Sequence, residues 1–315
     1  MKNKSLLELL EKNRASLGLK NSMIFDHENR LFSEIGIPME NAVVLLPKSK
    51  ALINMTLSLV SDITVALGKI VLVGANDAGI RSAKEAFERL IGPVEKKIVG
   101  NHAALYVGRN AAPGAGSRTR SWRDFLSFAR IEQDSIAIEA AVLPGIFSAG
   151  ELDPGTKLLL EHIPYDRAAV LDVGCGAGAI GALYKKKNPG AAVTMTDSSL
   201  LAVNASEETL KKNSLMGDVI LSDVFENIRG HFDLIVTNPP FHKGVGTDYS
   251  FIEKFARGAK VHLNKGGEVY VVANAFLPYQ ETLERHIGPT DIVADDGKFR
   301  VYRSRYSRGL SFSFD

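Results

Sequence analysis

The chain has 315 residues, of which 45% are hydrophobic and 23% are charged, so it is long enough for about two domains with substantial cores. Its single cysteine excludes an internal disulfide framework and predicts a cytoplasmic location, and no apolar stretch is long enough to span a membrane. The net charge of +2 neither requires nor excludes a nucleic-acid partner.

The first part of the chain is predicted to alternate helices and strands. Residues 1–17 alternate leucines with charged side chains, which predicts an amphipathic surface helix rather than a signal peptide. Apolar runs at 42–46, 69–73 and 104–107 predict strands, and the pattern at 79–90 predicts a helix. This alternation is typical of a parallel sheet. The turn at 74–79 also contains glycines, but their spacing differs from that of a cofactor loop.

A segment of small residues at 110–117 is the predicted linker between two domains, because it has no apolar periodicity. We place the domains at residues 1–120 and 121–315, with the linker near 110–120. Beyond it, partial alternation at 135–142 predicts a strand, and residues 158–162 predict a helix. Phe147 lies between these elements, and we expect it either in the core or at the entrance of a cofactor or substrate site.

A glycine-rich turn follows the apolar strand that begins at Val170, and residues 179–184 then predict a helix. Glycines 176, 178 and 181 match the pattern GxGxxG, which is shared by dinucleotide and S-adenosylmethionine sites. Asp172 and the overlapping register Gly174-x-Gly176-x-Gly178 favour S-adenosylmethionine. That molecule has no pyrophosphate, but its ammonium group and ribose hydroxyls need carboxylate partners. Cys175 is expected to be a small residue that fills the tight loop.

Two further aspartates follow the next predicted strands. Asp197 directly follows the strand 192–196, close to the spacing at which an acidic side chain reaches a ribose. Asp223 follows a third short strand and would accept a hydrogen bond from the adenine amino group. Either aspartate alone has an ordinary alternative as a helix N-cap or turn residue, and turn statistics favour that alternative for Asp223.

Asn238-Pro239-Pro240-Phe241 ends the apolar strand 232–237 and has the composition of a site for a planar amine. The side-chain oxygen of Asn238 and the carbonyl of Pro239 would accept hydrogen bonds from one NH2 group, and the prolines would keep the turn rigid. Phe241 would stack on the ring that carries the amine. Asn-Pro and Pro-Pro are also common in ordinary turns, so the tetrapeptide alone only favours this chemistry.

The last part of the chain is predicted to supply the remaining strands of a sheet. Residues 248–262 predict a helix, 265–267 a turn and 268–273 a strand, and the apolar segments 292–294 and 299–303 predict a hairpin. Clustered arginines would neutralise RNA phosphates or form a solvated face, and we leave both interpretations open. The arginines are at positions 118, 120, 123, 300, 303, 305 and 308. The lysine run 185–187 is predicted to be an ordinary helix end.

The ordered set of glycines, aspartates and NPPF resembles the class I S-adenosylmethionine-dependent methyltransferases that methylate exocyclic amino groups. Segments 170–178, 238–244, 263–268, 272–279 and 297–303 resemble the RsmC-type small-subunit ribosomal RNA guanine-N2 methyltransferases. The resemblance is good over about the last 170 residues, a span sufficient for one domain. It is weaker in the first part.

This resemblance implies an α/β fold with two tandem Rossmann-like methyltransferase domains. The first would be degenerate, with a role in RNA recognition or support. The second would have a seven-stranded, mostly parallel sheet with a C-terminal antiparallel hairpin. It also implies methyl transfer from S-adenosylmethionine to guanine N2 in ribosomal RNA, with Asn238 to Phe241 at the reacting amine and His242 at the substrate. Asn238 is expected to contact the cofactor as well. The expected partner is ribosomal RNA or the small subunit, without a metal or a membrane, and we expect a monomer.

Two other functions stay open at this point. A protein glutamine N5-methyltransferase would share the cofactor loop, although such enzymes favour Tyr at the position of Phe241. A non-enzymatic RNA-binding or assembly protein on the same fold is the other possibility, and intact Asp172, Asp197 and Asn238 argue against it. An oxidoreductase is disfavoured, because the NPPF turn would then have no purpose. His242 is a weaker candidate for a general base than for a substrate contact.

Overall fold

The computed structural model describes residues 23–25, 38–111, 113, 120–147, 150–239 and 245–306. The chain divides into two compact units. The first comprises Met1–Leu126 and Leu143–Gly145, and the second comprises Ser127–Val142 and Ile146–Asp315. The helix predicted at residues 1–17 lies outside the described residues.

A five-stranded mixed sheet forms the centre of the first unit. Its strands are β1 Met23–Phe25, β2 Met39–Leu45, β3 Thr64–Ala75, β4 Lys96–Gly100 and β5 Ala103–Arg109, in the order β1-β2-β3-β5-β4. Strands β1, β2 and β3 are parallel, but β5 runs antiparallel to both β3 and β4. The prediction of a parallel sheet is therefore wrong for this half. Asn101 and His102 both have positive φ, at 52° and 60°, and this turn closes β4 and β5 into a two-residue hairpin.

The helices of the first unit are α1 Lys50–Ile63 and α2 Ala83–Leu90. Helix α1 was not predicted from the sequence, and ten of its fourteen residues are buried. Helix α2 begins later than the predicted residue 79 because Gly79 has a φ of 88°, which ends the short 3-10 helix Asn76–Ala78. Asn110, the first residue of the predicted linker, is fully buried and donates to the carbonyl oxygens of Ser61 and Thr64 at 2.8 and 2.7 Å.

The second unit contains the predicted seven-stranded sheet. Its strands are β8 Ala169–Val173, β9 Ala192–Asp197, β10 Asp218–Leu221, β11 Phe232–Thr237, β12 Leu263–Asn274, β13 Thr290–Asp295 and β14 Phe299–Arg305, in the order β10-β9-β8-β11-β12-β14-β13. The first five of these in chain order are parallel, and β14 is antiparallel to both β12 and β13. The expected mostly parallel sheet with a C-terminal antiparallel hairpin is confirmed.

Helices cover both faces of this sheet. They are α3 Pro154–His162, α4 Ala179–Lys187, α5 Leu200–Lys212, α6 Val245–His262 and α7 Gln280–His286. Apolar side chains of α3, α4 and α5 form one core on the first face, together with the hairpin of β6 Ser127–Gln133 and β7 Ile136–Val142. Those of α6 and α7 form a second core on the opposite face. Such a doubly covered sheet explains the nearly continuous apolar runs of β8 and β11.

Strand register decides which residues meet at the carboxyl edge of this sheet. Val173 at the end of β8 pairs with Thr196 of β9 on one side and with Thr237 of β11 on the other. The chain leaves β8 toward β9, whereas β11 returns on the other side of β8, so the strand order reverses here. Ligands of open α/β sheets bind in the crevice at such a reversal. Within the described parts of the chain, no helix has the length and apolarity needed to cross a membrane.

Candidate functional site

The loop after β8 has a backbone that only glycine adopts readily. Gly174, Gly176 and Gly178 have φ of 75°, 56° and 77°, all in the left-handed region. A Cβ on Gly174 would meet no atom within 4 Å, so the loop has open space beside it at this point. Gly181 serves a different purpose, because a Cβ there would collide with the side chain of Met195. The glycines thus combine a tight loop with close packing of α4 on β9.

Hydrogen bonds to the end of β9 engage three successive amides of this loop. The amides of Gly174 and Cys175 both donate to the carbonyl of Thr196, at 2.7 and 2.9 Å. The amide of Gly176 donates to Oδ2 of Asp197 at 3.0 Å. A dinucleotide site uses its glycine loop for close approach of the backbone to a pyrophosphate. Because these amides are already bonded within the protein, the loop fits a ligand without a pyrophosphate better.

Asp172 is a fully buried carboxylic acid on β8, directly beneath the loop. Its Oδ2 accepts a hydrogen bond from the amide of Gly181 at 3.1 Å, whereas Oδ1 is buried and has no hydrogen-bond partner among the described residues. Burial raises the pKa of Asp172 from 3.8 to about 7, against the opposing effect of the Gly181 bond, and the charge of Asp197 adds to the rise. An unpaired oxygen on such a group is poised to accept from a cationic donor.

Asp197, the last residue of β9, organises the surrounding backbone. Its Oδ2 accepts from the amide of Gly176, and its Oδ1 accepts from the amide of Ser199 at 2.9 Å, next to the start of α5. Burial raises the pKa of Asp197, although its backbone hydrogen bonds act in the opposite direction. The predicted position at the end of the second strand is confirmed, and the carboxylate also holds the glycine loop in place.

Asp223 follows β10, as the sequence predicts, but its side chain is more exposed than that of the other two aspartates. Its Oδ2 pairs with Nζ of Lys254 at 2.7 Å, and the same ammonium contacts Glu226 at 3.0 Å. The side chain of Asp223 is 59% exposed. Oδ2 of this carboxylate is therefore already paired with Lys254, and the sequence analysis did not predict this ion pair.

Asn238 follows β11 at the same edge of the sheet. Its side-chain nitrogen Nδ2 donates to Oδ2 of Asp153 at 3.0 Å and to Oγ1 of Thr156 at 2.7 Å. Its oxygen Oδ1 is buried without a hydrogen-bond partner in the described structure. The preceding Thr237 donates to the carbonyl of Val173 at 2.8 Å, which ties the end of β11 to the end of β8.

The predicted amine site is described as far as Pro239. Residues 240–244, which include Pro240, Phe241 and His242, lie outside the described residues. Pro239 is described and is buried. Asp153 and Thr156 were not predicted as site residues. An N-cap pattern, Asp followed by Pro, was visible at 153–154, but nothing in the sequence indicates that this helix end meets Asn238.

Phe147 lies beside the glycine loop and Cys175 lies within it, and the two side chains differ in exposure. Phe147 is 56% exposed, so the alternative of a core phenylalanine is excluded. Its carbonyl oxygen lies 3.9 Å from where a Cβ of Gly176 would stand. Cys175 is buried, with Sγ 3.2 Å from Oγ of Ser206, and burial raises the pKa of its thiol well above the usual value. The expectation that Cys175 is a small residue that fills the tight loop agrees with this burial.

Several basic residues of the predicted clusters form ion pairs within their own unit. The pairs join Arg120 to Asp62, Lys187 to Asp134, Arg300 to Asp295, Arg303 to Asp291, and Arg305 to Glu268. The lysine run does lie in the last turn of α4, as predicted. Arg118 and Arg308 lie outside the described residues. Among the residues that the structure describes, no group of three or more His, Cys, Asp or Glu side chains could hold a metal ion.

Two family models together match most of the chain. "Methyltransferase small domain" matches residues 137–303, and "Methyltransferase small domain N-terminal" matches residues 14–125. The chain is 39% identical to the ribosomal RNA small subunit methyltransferase C of Aeromonas hydrophila, over 93% of this chain and 83% of that protein. It is 40% identical to the protein of the same name from Haemophilus influenzae, over 74% and 69% of the two chains.

A solved structure has the same fold. It is the T. thermophilus 16S rRNA N2 G1207 methyltransferase in complex with AdoMet and guanosine, with a TM-score of 0.76 and 24% identity, over 88% of this chain and 75% of that chain. The expected fold of two tandem methyltransferase domains is confirmed by this likeness together with the two family models. On its sequence, over most of its length, the chain belongs to the ribosomal RNA small subunit methyltransferase C family of the small-domain methyltransferases.

Proposed function

We propose that this protein transfers a methyl group from S-adenosylmethionine to the exocyclic N2 of a guanine in small-subunit (16S) ribosomal RNA. One observation carries the proposal: Oδ1 of Asn238 is a buried acceptor without a partner in the described structure, at the carboxyl edge where ligands of such sheets bind. An unpaired acceptor at that place selects a ligand with N–H donors. The names of the relatives support small-subunit ribosomal RNA as the substrate, and the guanosine bound to the structural neighbour supports guanine as that ligand.

The residues at the carboxyl edge fit S-adenosylmethionine. The open space beside Gly174 would take the methionine part, and the unpaired Oδ1 of Asp172 would face its ammonium group. Asp197 would accept from the ribose hydroxyls, and Oδ1 of Asp223 from the adenine amino group. When bound, the molecule supplies a methyl group on a sulfonium, which is already an excellent leaving group.

The protein's own contribution to the reaction is positioning. The guanine N2 lone pair is delocalised into the ring and is a poor nucleophile. Oδ1 of Asn238 and the carbonyl of Pro239 would accept both N–H bonds of the amine, which favours a geometry with the lone pair directed at the methyl group. The same two acceptors stabilise the positive charge that develops on nitrogen. No dedicated general base is required, because the amine becomes more acidic as it is methylated.

The target base must leave its stack to reach such a buried acceptor, because guanine N2 faces the minor groove of paired RNA. We propose Phe241 as the stacking platform and the exposed Phe147 as a wall of the entrance, with His242 as a further substrate contact. Pro240 would keep the turn rigid.

We further propose that the first unit binds RNA and supports the second, with no cofactor of its own, and that the protein acts as a cytoplasmic monomer. The loop after β3 supports the loss of cofactor binding. At Gly74 a Cβ would lie only 2.7 Å from the side chain of Leu46, whereas the corresponding space at Gly174 is open. We keep residues 1–120 and 121–315 as the proposed domains.

The decisive experiment uses labelled S-adenosylmethionine with small subunits, or with ribosomal RNA, from a strain that lacks the enzyme. The expected product, identified by mass spectrometry of the nucleosides, is N2-methylguanosine. Label in protein, or a methyl group on adenine, would overturn the proposal. Asn238→Ala should abolish turnover while S-adenosylmethionine affinity changes little, and a large loss of cofactor affinity would mean that Asn238 serves the cofactor instead.

A further inference from the structure

The first turn of α3 supplies both hydrogen-bond partners of the Asn238 amide nitrogen. Asp153 is the N-cap of this helix, and its Oδ2 accepts from the backbone amide of Thr156 and from Nδ2 of Asn238, each at 3.0 Å. Oγ1 of Thr156, which stands three residues into the helix, accepts from the same Nδ2 at 2.7 Å. Both hydrogens of the amide are therefore directed at α3.

The chemistry of these partners permits only one orientation of the Asn238 side chain. An ionised carboxylate has no hydrogen to donate, so the group facing Asp153 must be the NH2 and not the carbonyl oxygen. A rotation of the amide by 180° would place two acceptor oxygens against each other. The hydroxyl of Thr156 can donate as well as accept, so Asp153 sets the orientation and Thr156 completes it.

This orientation determines which ligand group Asn238 can bind. It leaves Oδ1 of Asn238 as the atom without a partner among the described residues, so the side chain offers an acceptor to a ligand. A ligand group with N–H bonds satisfies that acceptor, whereas a carbonyl oxygen does not. The reverse orientation would present the NH2 and would favour a carbonyl. Guanine carries both kinds of group, an amine at C2 and a carbonyl at C6.

We propose that Asp153 and Thr156 are positioning residues that hold the Asn238 amide with its oxygen toward the substrate, and thereby select the amine of the base over its carbonyl. The inference rests on the proposed function and names the residues that set its specificity. Neither side chain needs to touch the substrate, because both act through Asn238.

The first test compares Thr156→Val with Thr156→Ser. Valine has the shape of threonine but no hydroxyl, so it leaves one N–H of Asn238 without a partner, whereas serine keeps the oxygen. We expect kcat to fall about 10- to 100-fold in Thr156→Val, with the Kd for S-adenosylmethionine within about threefold of wild type, and most of the turnover to be retained in Thr156→Ser. Thr282→Val is the matched control, because Thr282 is also buried and also the third residue of a helix, in α7. It should leave kcat unchanged.

The second test measures selectivity by equilibrium binding, without turnover. Guanosine and inosine differ only in the N2 amine, so the ratio of their Kd values, measured with S-adenosylhomocysteine present, reports the orientation of the amide. Wild type and Thr282→Val should bind guanosine at least about tenfold more tightly. The double variant Asp153→Ser, Thr156→Val keeps an N-cap hydroxyl for the helix but frees the amide. Its ratio should fall at least about threefold below that of wild type, and the Pro239 carbonyl accounts for the selectivity that is left.

The outcomes separate this inference from the proposed function. If wild type forms N2-methylguanosine but Thr156→Val keeps its kcat and the double variant keeps its selectivity, the positioning role is wrong and the function stands. If wild type forms no N2-methylguanosine, the function is wrong. The inference then depends on hydrogen exchange of the Asn238 side-chain amide in protein labelled with 15N-asparagine. Slow exchange that accelerates in the double variant supports a fixed amide, and fast exchange in wild type overturns it.

Discussion

Replacing Asp172 by asparagine should make the stability of the protein less dependent on pH. The carboxyl group is fully buried, and one of its oxygens has no partner in the described structure. Its pKa is about 7 in the folded protein and 3.8 in the reference state. The folded state therefore binds a proton that the unfolded state has lost, over the range from about pH 4 to pH 7. Stability must fall as the pH rises through this range, and it levels off above pH 7.

The size of the effect follows from the same two values. At 1.36 kcal/mol per pKa unit, a pKa raised from 3.8 to about 7 corresponds to about 4 kcal/mol between full protonation and full ionisation. Between pH 5 and pH 8, the wild-type protein should lose about 2–3 kcal/mol of unfolding free energy through Asp172. The asparagine side chain of the variant does not titrate, so the variant should not show this loss. At about 2.1 cal/mol/K of unfolding entropy per residue, a change of this size shifts the melting temperature of a 315-residue protein by roughly 3 to 5 °C.

The assay is urea or thermal unfolding of wild type and Asp172→Asn at pH 5, 6, 7 and 8. The difference in unfolding free energy between the two proteins should change in favour of the variant by about 2–3 kcal/mol as the pH rises from 5 to 8. Thr282→Val is the control, because it replaces a buried side chain that does not titrate, and its difference from wild type should stay constant with pH. Parallel pH profiles of wild type and Asp172→Asn would refute the reasoning, because they would mean that Asp172 has the same pKa in both states. The variant should also bind S-adenosylmethionine more weakly, since it has lost the partner proposed for the ammonium group.

Three further predictions concern other parts of the chain. Gly178→Ala should destabilise the protein by about 2–4 kcal/mol in urea unfolding, because φ at this position is 77° and the new Cβ would lie 2.9 Å from Oγ of Ser206. A loss of unfolding free energy below about 1 kcal/mol would contradict this prediction. Arg120→Met should lower the unfolding free energy by about 1–3 kcal/mol, because the side chain of Asp62 is 2% exposed and would lose its guanidinium partner. The added change Asp62→Asn should restore part of this loss. Phe147→Ala should raise the KM for RNA and leave the unfolding free energy within about 0.5 kcal/mol of wild type, since the side chain of Phe147 is 56% exposed. A large loss of stability with an unchanged KM would indicate a packing role instead.

The glycine loop illustrates how one sequence pattern becomes specific only in three dimensions. Glycines 176, 178 and 181 match a dinucleotide pattern, but they serve two different purposes in the structure. Gly176 and Gly178 adopt left-handed backbone conformations, whereas Gly181 admits the side chain of Met195. The amide of Gly176 is bonded to Asp197. The spacing of the glycines alone does not show whether a loop amide is free to bind a phosphate or is already hydrogen-bonded to a neighbouring strand.

Local sequence predicted several strands of the second unit, and the family resemblance supplied its seven-stranded sheet. The apolar runs of β8 and β11 predict these strands, because strands covered by helices on both faces are mostly apolar. Parallel strands bring their carboxyl ends to one edge, so Asp172, Asp197 and Asn238 were predicted to lie together. In the first unit the same reasoning failed for β4 and β5, because Asn101 and His102 form a hairpin turn without the glycine that usually marks one.

Tertiary structure alone decided how the polar groups of the site are paired. Asp153 and Asn238 are 85 positions apart, and their hydrogen bond depends on α3 beginning beside the end of β11. Lys254 reaches Asp223 in the same way, across 31 positions. Whether a carboxylate or an amide is free to meet a ligand depends on burial and on partners from distant segments. Sequence therefore determined which chemical groups stand at the edge of the sheet, and packing determined which of their atoms are left to bind.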